Sequence, residues 1–220
     1  MKKALVTALA IGLIASAFGG VSAQAKKAKP APVTLYFHGN EYVGEVEIPD
    51  GVNGLYREMD ATEPTDPAPK SVFLLAAGAA GNGTPNPTCA GNPLFPVWVG
   101  DVNGTVVGDL KVSLDAVSLP ATKVDVRVWG IVPGVGACDS QGTEGYVDPM
   151  AETRVDVPPG AGTIEAVLKN SKFKAEGRLM VQITPVLEGP TATRVLYDSS
   201  TTVSQIEFKC IPAAGKSCTP

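Results

Sequence analysis

Histidine is nearly missing from this 220-residue chain: His38 is the only one, and aromatic residues supply 6% of the sequence. A nucleophilic triad would have to use His38 as its base, yet no serine stands in a GxSxG elbow. The phosphate-cradling P-loop, the dinucleotide fingerprint and the HExxH zinc motif are also absent. No CxxC pair occurs, and a single histidine gives a zinc ion too few partners. The formal charge is −4, and this mild acidity argues against nucleic acid, whose binding needs clustered Lys and Arg to displace counterions. What these lacks leave open is an enzyme built on dispersed carboxylates.

The first residues form a leader. Lys2 and Lys3 precede an uncharged apolar stretch from Ala4 to Phe18, with small residues behind it. That order is the layout of an export signal. The stretch is shorter than the roughly 20 apolar residues that span a bilayer, so segment 1–23 is expected to be cut off rather than kept as an anchor. Cleavage after Ala23 is preferred, with Ala25 as the alternative. Losing Lys2 and Lys3 takes the formal charge from −4 to −6. No cysteine lies near the cut for a lipid, and the C-terminus carries no apolar tail. A secreted product is therefore expected, extracellular, surface-associated or periplasmic, with no integral membrane segment after cleavage.

Four cysteines, Cys89, Cys138, Cys210 and Cys218, fall in the exported part. An even count in an oxidising compartment reads as two disulfides. Of the three pairings, Cys210 with Cys218 is favoured, because Ile211 to Gly215 between them supplies turn residues. That leaves Cys89 with Cys138.

Residues 24–32 are rich in Lys and Pro and form an extended arm. From residue 33 to 220, short β-rich runs recur between Gly, Pro, Asn and Asp clusters, as strands joined by turns do. Val33 to His38 is the first. Ser71 to Ala77 is continuously apolar and is expected to be buried on both faces. Pro96 to Gly100 and Gly104 to Leu114 follow, with Asp101-Val102-Asn103-Gly104 as a turn between them. In Lys123 to Trp129 the valines and Trp129 take one face and Lys123, Asp125 and Arg127 a wet one. Later runs are Glu152 to Val157, Gly162 to Leu168, Gly177 to Thr184, Arg194 to Tyr197 and Val203 to Phe208. About ten short strands and no helix beyond the leader predict one all-β domain, an antiparallel sandwich of jelly-roll or immunoglobulin-like kind. Asp60 to Lys70 and Gly78 to Pro93 are then long loops, of a length that usually carries function or motion.

Carboxylates gather in two runs, Asp60, Glu63 and Asp66, and Asp139 and Glu144. Oxygen ligands of this kind suit calcium, although neither run follows an EF-hand loop. No cofactor is expected otherwise. Trp98 and Trp129 lie in valine-rich runs that read as core, so Tyr42, Tyr56 and Tyr146 are the aromatic candidates for contact with a ligand.

Val155 to Gly160, Gly177 to Ile183 and Arg194 to Ser199 together resemble the β-sandwich accessory domains of secreted bacterial peptidases and surface proteins. The resemblance implies a jelly-roll-like module that binds or stabilises. It covers a third of the exported chain and carries over no site residue. The expectation is a secreted, non-catalytic binding or surface-interaction module, for a polysaccharide, a wall component or a cell-surface protein. The competing expectation is a secreted hydrolase in which Asp60, Glu63, Asp139 and Glu144 converge in one cleft.

Overall fold

The computed structural model describes residues 28–41, 57–74, 97–119, 122–131, 151–186 and 192–220. Nine strands run through them: β1 (Ala31–Glu41), β2 (Arg57–Asp60), β3 (Lys70–Leu74), β4 (Val97–Leu119), β5 (Thr122–Ile131), β6 (Ala151–Val157), β7 (Gly160–Val186), β8 (Ala192–Tyr197) and β9 (Gln205–Pro212). Among the described residues there is no helix, so the all-β expectation holds. The expected leader, residues 24–27 of the expected arm, Cys89, Cys138 and the expected loop Gly78 to Pro93 lie outside them.

The strands are ordered β2-β1-β9-β4-β7-β5-β6, and β2 also pairs in parallel with β4. That extra pairing closes β2, β1, β9 and β4 into a four-stranded barrel, which the sequence pattern did not show. β8 pairs with the far half of β4, and β3 pairs with β8.

A closed barrel of four strands has little room inside, and the alternation along β4 is matched to it. Its even positions bring Trp98, Val102 and Val106 into the core with no exposure, alongside Leu35, Phe37, Met59, Ile206 and Phe208. Trp98 lies stacked on Phe37, with ring centroids 4.8 Å apart. Burying a side chain such as Phe37 completely contributes about 2–3 kcal/mol. Residue 104 must be glycine: a Cβ there would stand 2.6 Å from Cys210 Sγ. Cys210 is disulfide-bonded to Cys218, as the spacing predicted, which folds the C-terminus back onto β9. Asn103 N–H donates to Cys218 O at 2.9 Å and so ties the returning tail to β4.

Several local expectations fail for one reason, that polar and glycine-rich stretches sit inside long strands. Asp101-Val102-Asn103-Gly104 is no turn but the middle of β4, paired with Arg178 to Ala175 of β7. Gly162 to Leu168 and Gly177 to Thr184 are two parts of β7. β4 and β7 pair almost end to end, with one irregularity at Gly108/Leu110 where Asp109 accepts from Asn170 N–H at 3.1 Å. In β3, Ser71 is exposed and Val72 half-buried, so the strand is not covered on both faces. Nor is the polar face of β5 simply wet. Val124, Val126 and Val128 are buried as expected, but Asp125 is 5% exposed and shared between Arg127 and Arg154.

Candidate functional site

The single histidine is where the structure gathers its polar side chains. On β1 the two-residue period sends Leu35 and Phe37 into the barrel and turns His38 to the opposite face. β2 runs antiparallel to β1, with Tyr36 across from Asp60, and this register sets Asp60 beside the imidazole. β3 opens with Lys70, whose register partner is Tyr197 at the end of β8, and Asp198 follows. Four elements distant in sequence thus meet at one end of the barrel.

His38 is 7% exposed. Its Nδ1 lies 3.0 Å from Asp198 Oδ1 and its Nε2 lies 3.1 Å from Asp60 Oδ1. Lys70 Nζ donates to Asp198 Oδ2 at 2.6 Å, and Gly39 N–H donates to the same oxygen at 2.8 Å. Residue 39 is fitted to this: a Cβ there would stand 2.2 Å from Lys70 Cδ, so only glycine lets the lysine lie across the strand. Asp198 has φ 56°, a left-handed conformation that Asp tolerates better than most residues. That backbone turn aims its carboxylate back at β1.

Burial pushes the Asp198 carboxyl up, but the hydrogen bonds from Lys70, Gly39 and His38 and the Lys70 charge outweigh it and hold the group below its ordinary value. The bond to Asp198 raises the Lys70 ammonium in turn, against a smaller cost of burial. Asp60 differs. Its side chain is 43% exposed, and besides the imidazole it accepts, among the described residues, Thr62 N–H at 2.6 Å. The cluster therefore has a fixed carboxylate inside, an imidazole between, and a second carboxylate facing water. Such an arrangement can take a proton from water and return it to a leaving group. Among the described residues both ring nitrogens of His38 face carboxylates.

The expected sites fare unevenly. Asp60 is in the cluster. Asp66 is near it: its side chain accepts Ala68 N–H at 2.8 Å and its carbonyl accepts Ser200 N–H at 2.8 Å, which anchors the 61–69 loop to the turn after β8. Glu63 is exposed and joins nothing in it. Asp139, Glu144, Tyr42, Tyr56 and Tyr146 lie outside the described residues. Among the described residues no three His, Cys, Asp or Glu side chains are grouped to hold a metal. What composition missed is Asp198, in Tyr197-Asp198-Ser199, and Lys70, both placed by strand pairing alone. Ser171 and Lys174 have the SxxK spacing of some serine hydrolases, but the strand separates them. The Ser171 hydroxyl donates to Leu168 O, and Lys174 pairs with Glu176. A shallow depression of about 230 Å³ lined by Asp115, Thr163 and Leu196 offers less, because Asp115 is spent on Thr163 Oγ1 and Val203 N–H.

No family model matches the chain, and no curated protein does. Solved structures do share its fold. An aminopeptidase from a marine-sediment Thaumarchaeota archaeon superposes with a TM-score of 0.53 at 13% identity, over 83% of this chain and 37% of the enzyme. A CocE/NonD family hydrolase from Staphylococcus aureus gives a TM-score of 0.51 at 10% identity, again over 83% of this chain and 37% of that one. The chain thus spans well under half the length of these enzymes. At such identities the likeness is one of fold, and both folds belong to hydrolases. The expectation of a secreted non-catalytic binding module is overturned by this, and the hydrolase alternative is the one it favours. The family is not shown, and what stands is a β-rich fold related to that of hydrolases.

Proposed function

We propose that this chain works in hydrolysis, as an exported hydrolase of ester or amide bonds, with a single jelly-roll-like β-sandwich domain (33–220) as its frame and the His38 cluster as its polar centre. The observation that carries the reading is one imidazole set between two carboxylates, of which Asp198 is held ionised and Asp60 meets solvent. The fold shared with an aminopeptidase and a CocE/NonD hydrolase supports the reaction class. In this reading Asp60 accepts the proton of a water attacking the substrate carbonyl. His38 steadies Asp60 through Nε2, and the proton returns to the departing alcohol or amine. Asp198 and Lys70 keep the ring in place.

The test is turnover of p-nitrophenyl acetate and of aminoacyl p-nitroanilides by the oxidised mature chain. Asp60→Asn and His38→Asn are expected to lower kcat by about 10²–10⁴ with circular dichroism unchanged, the usual weight of general acid–base catalysis. Turnover no faster than buffer, or equal in both variants, refutes the reading. Export is part of it, and N-terminal sequencing of the released protein should begin at Gln24.

A second reading in the same class is favoured by length. Because the chain spans 37% of each enzyme it resembles, this reading takes it as the β-rich partner of a separate catalytic unit. Turnover that appears only when a catalytic partner is supplied supports it.

A further inference from the structure

This acidic chain carries a band of positive charge on one sheet face. β7, β4 and β9 lie side by side, and in one row Lys172 of β7 and Lys209 of β9 both stand opposite Val107 of β4. Register partners point to the same side of a sheet, here the side away from the barrel interior. Both lysines are exposed, and Val107 is half-buried between them. Two strand spacings put their Cα atoms about 10 Å apart. Lys174 stands about 7 Å further along β7, and Lys216 donates to Asn103 Oδ1 at 3.4 Å on the same face of β4. Lys29, also exposed, precedes β1, whose Pro32 is the register partner of Lys209.

The neighbouring carboxylates are already answered. Lys169 Nζ donates to Asp109 at 3.0 Å, Lys111 reaches Glu165 at 2.5 Å and Glu207 at 4.0 Å, and Lys174 reaches Glu176 at 3.2 Å. The Asn170 N–H and Lys169, with a smaller push from the Lys209 charge, hold the Asp109 carboxyl below its ordinary value. Lys209 thus acts on Asp109 from a distance, and neither it nor Lys172 pairs with a carboxylate among the described residues. The uncompensated charge is a narrow band across three strands, bordered by acids on both sides. A linear polyanion can follow such a band, whereas a flat membrane would also press on the acids. Among the described residues Val203 is the one large apolar side chain exposed, so nothing on this face enters a bilayer. Trp98, Phe173 and Phe208, the rings described on these strands, are buried, which leaves no platform for stacked bases. Lysine is a point charge that suits phosphate, while a planar carboxylate is better served by the arginine fork.

We propose that the Lys172–Lys209 band is a docking surface for a linear polymer carrying one phosphodiester in each repeat. It stands independently of the hydrolase reading, since His38 lies about 20 Å along β1 from Pro32.

The probes are poly(glycerol phosphate), oligo(dT) and phosphatidylglycerol vesicles, each titrated into the oxidised mature chain at low and at physiological salt. Poly(glycerol phosphate) is expected to bind best, with an affinity that falls as salt rises. Lys172→Gln combined with Lys209→Gln should weaken it at least about tenfold and flatten the salt dependence. Arginine at both positions should keep the binding, because the charge is kept. Lys123→Gln, the same loss of charge on β5, should leave it unchanged. A wild type that does not bind poly(glycerol phosphate) overturns the proposal, as does a double Gln variant that binds like Lys123→Gln. Tighter binding to oligo(dT) or to the vesicles overturns it too, because the surface then serves a nucleic acid or a membrane.

Discussion

Two carboxylates in this protein are withdrawn from water and answered by cations, yet Asp125 and Asp198 are built in different ways. Asp125 takes Arg154 Nε at 2.7 Å, Arg154 Nη2 at 3.0 Å and Arg127 Nη2 at 3.1 Å, and Arg127 reaches on to Glu152. All four residues sit on β5 and β6, where the register places Asp125 across from Arg154 and Arg127 across from Glu152. The ladder follows from alternation and one hairpin pairing. Asp198 instead draws on β1, β3 and a left-handed turn, with partners up to 160 residues away. A charge network that costs so much long-range order to assemble is the better candidate for chemistry, because strand stability alone is served by the local kind.

Unfolding experiments can break that contrast. The largest effect is expected from Asp198→Ala, which leaves the buried imidazole with Asp60 alone and takes the acceptor from Gly39 N–H, at about 3 kcal/mol in urea unfolding. Asp125→Ala should cost less, about 1–2 kcal/mol, since Arg127 keeps Glu152 and Arg154 returns to water. If Asp125→Ala is the costlier, the local ladder and not the long-range cluster holds the fold together.

Acid sharpens the comparison. Asp198 is held below its ordinary value of 3.8, so its folded-state affinity for protons is lower than in the unfolded chain. The stability it gives is complete above 3.8 and lost as pH falls through the lower folded value. Tm of the wild type should therefore drop on acidification below that point, and Asp198→Asn should flatten the drop. Lys70 runs the other way, raised above 10.5, with its share lost as pH climbs past the raised value; half exposure makes this alkaline limb shallower. The smallest effect belongs to the exposed Lys111–Glu165 pair at 2.5 Å, where Glu165→Gln should leave the urea midpoint where it was.

How far the sequence could be read follows from the same contrast. The all-β class, the buried valines of β5, the buried Trp98 and the Cys210–Cys218 bridge were legible because each depends on neighbours in the chain or on a period of two. Strand lengths were not. Gly104 read as the end of a turn, whereas it is needed inside β4 for its approach to Cys210, and Gly108, with φ 83°, serves an irregularity within one continuous strand. The barrel was illegible because the parallel contact of Arg57 and Glu58 with Trp98 and Val99 leaves no mark on composition. For the site, Asp60 stood out as one of several loop acids. His38 read as an ordinary strand residue, and nothing local marks Asp198 or Lys70.

The pairing of β1 with β9 bears on how the molecule comes into being. Ala31 lies across from Cys210 and Val33 across from Phe208, so the barrel's first strand can be completed only by nearly its last. Contacts so remote in sequence make folding slow, because the loop they close must be ordered before it is rewarded. A chain emerging from the ribosome N-terminus first cannot close this barrel or bring Asp198 to His38 until its final strand is free. The protein is thereby kept open throughout synthesis, the state in which a polypeptide can still be threaded through a narrow pore.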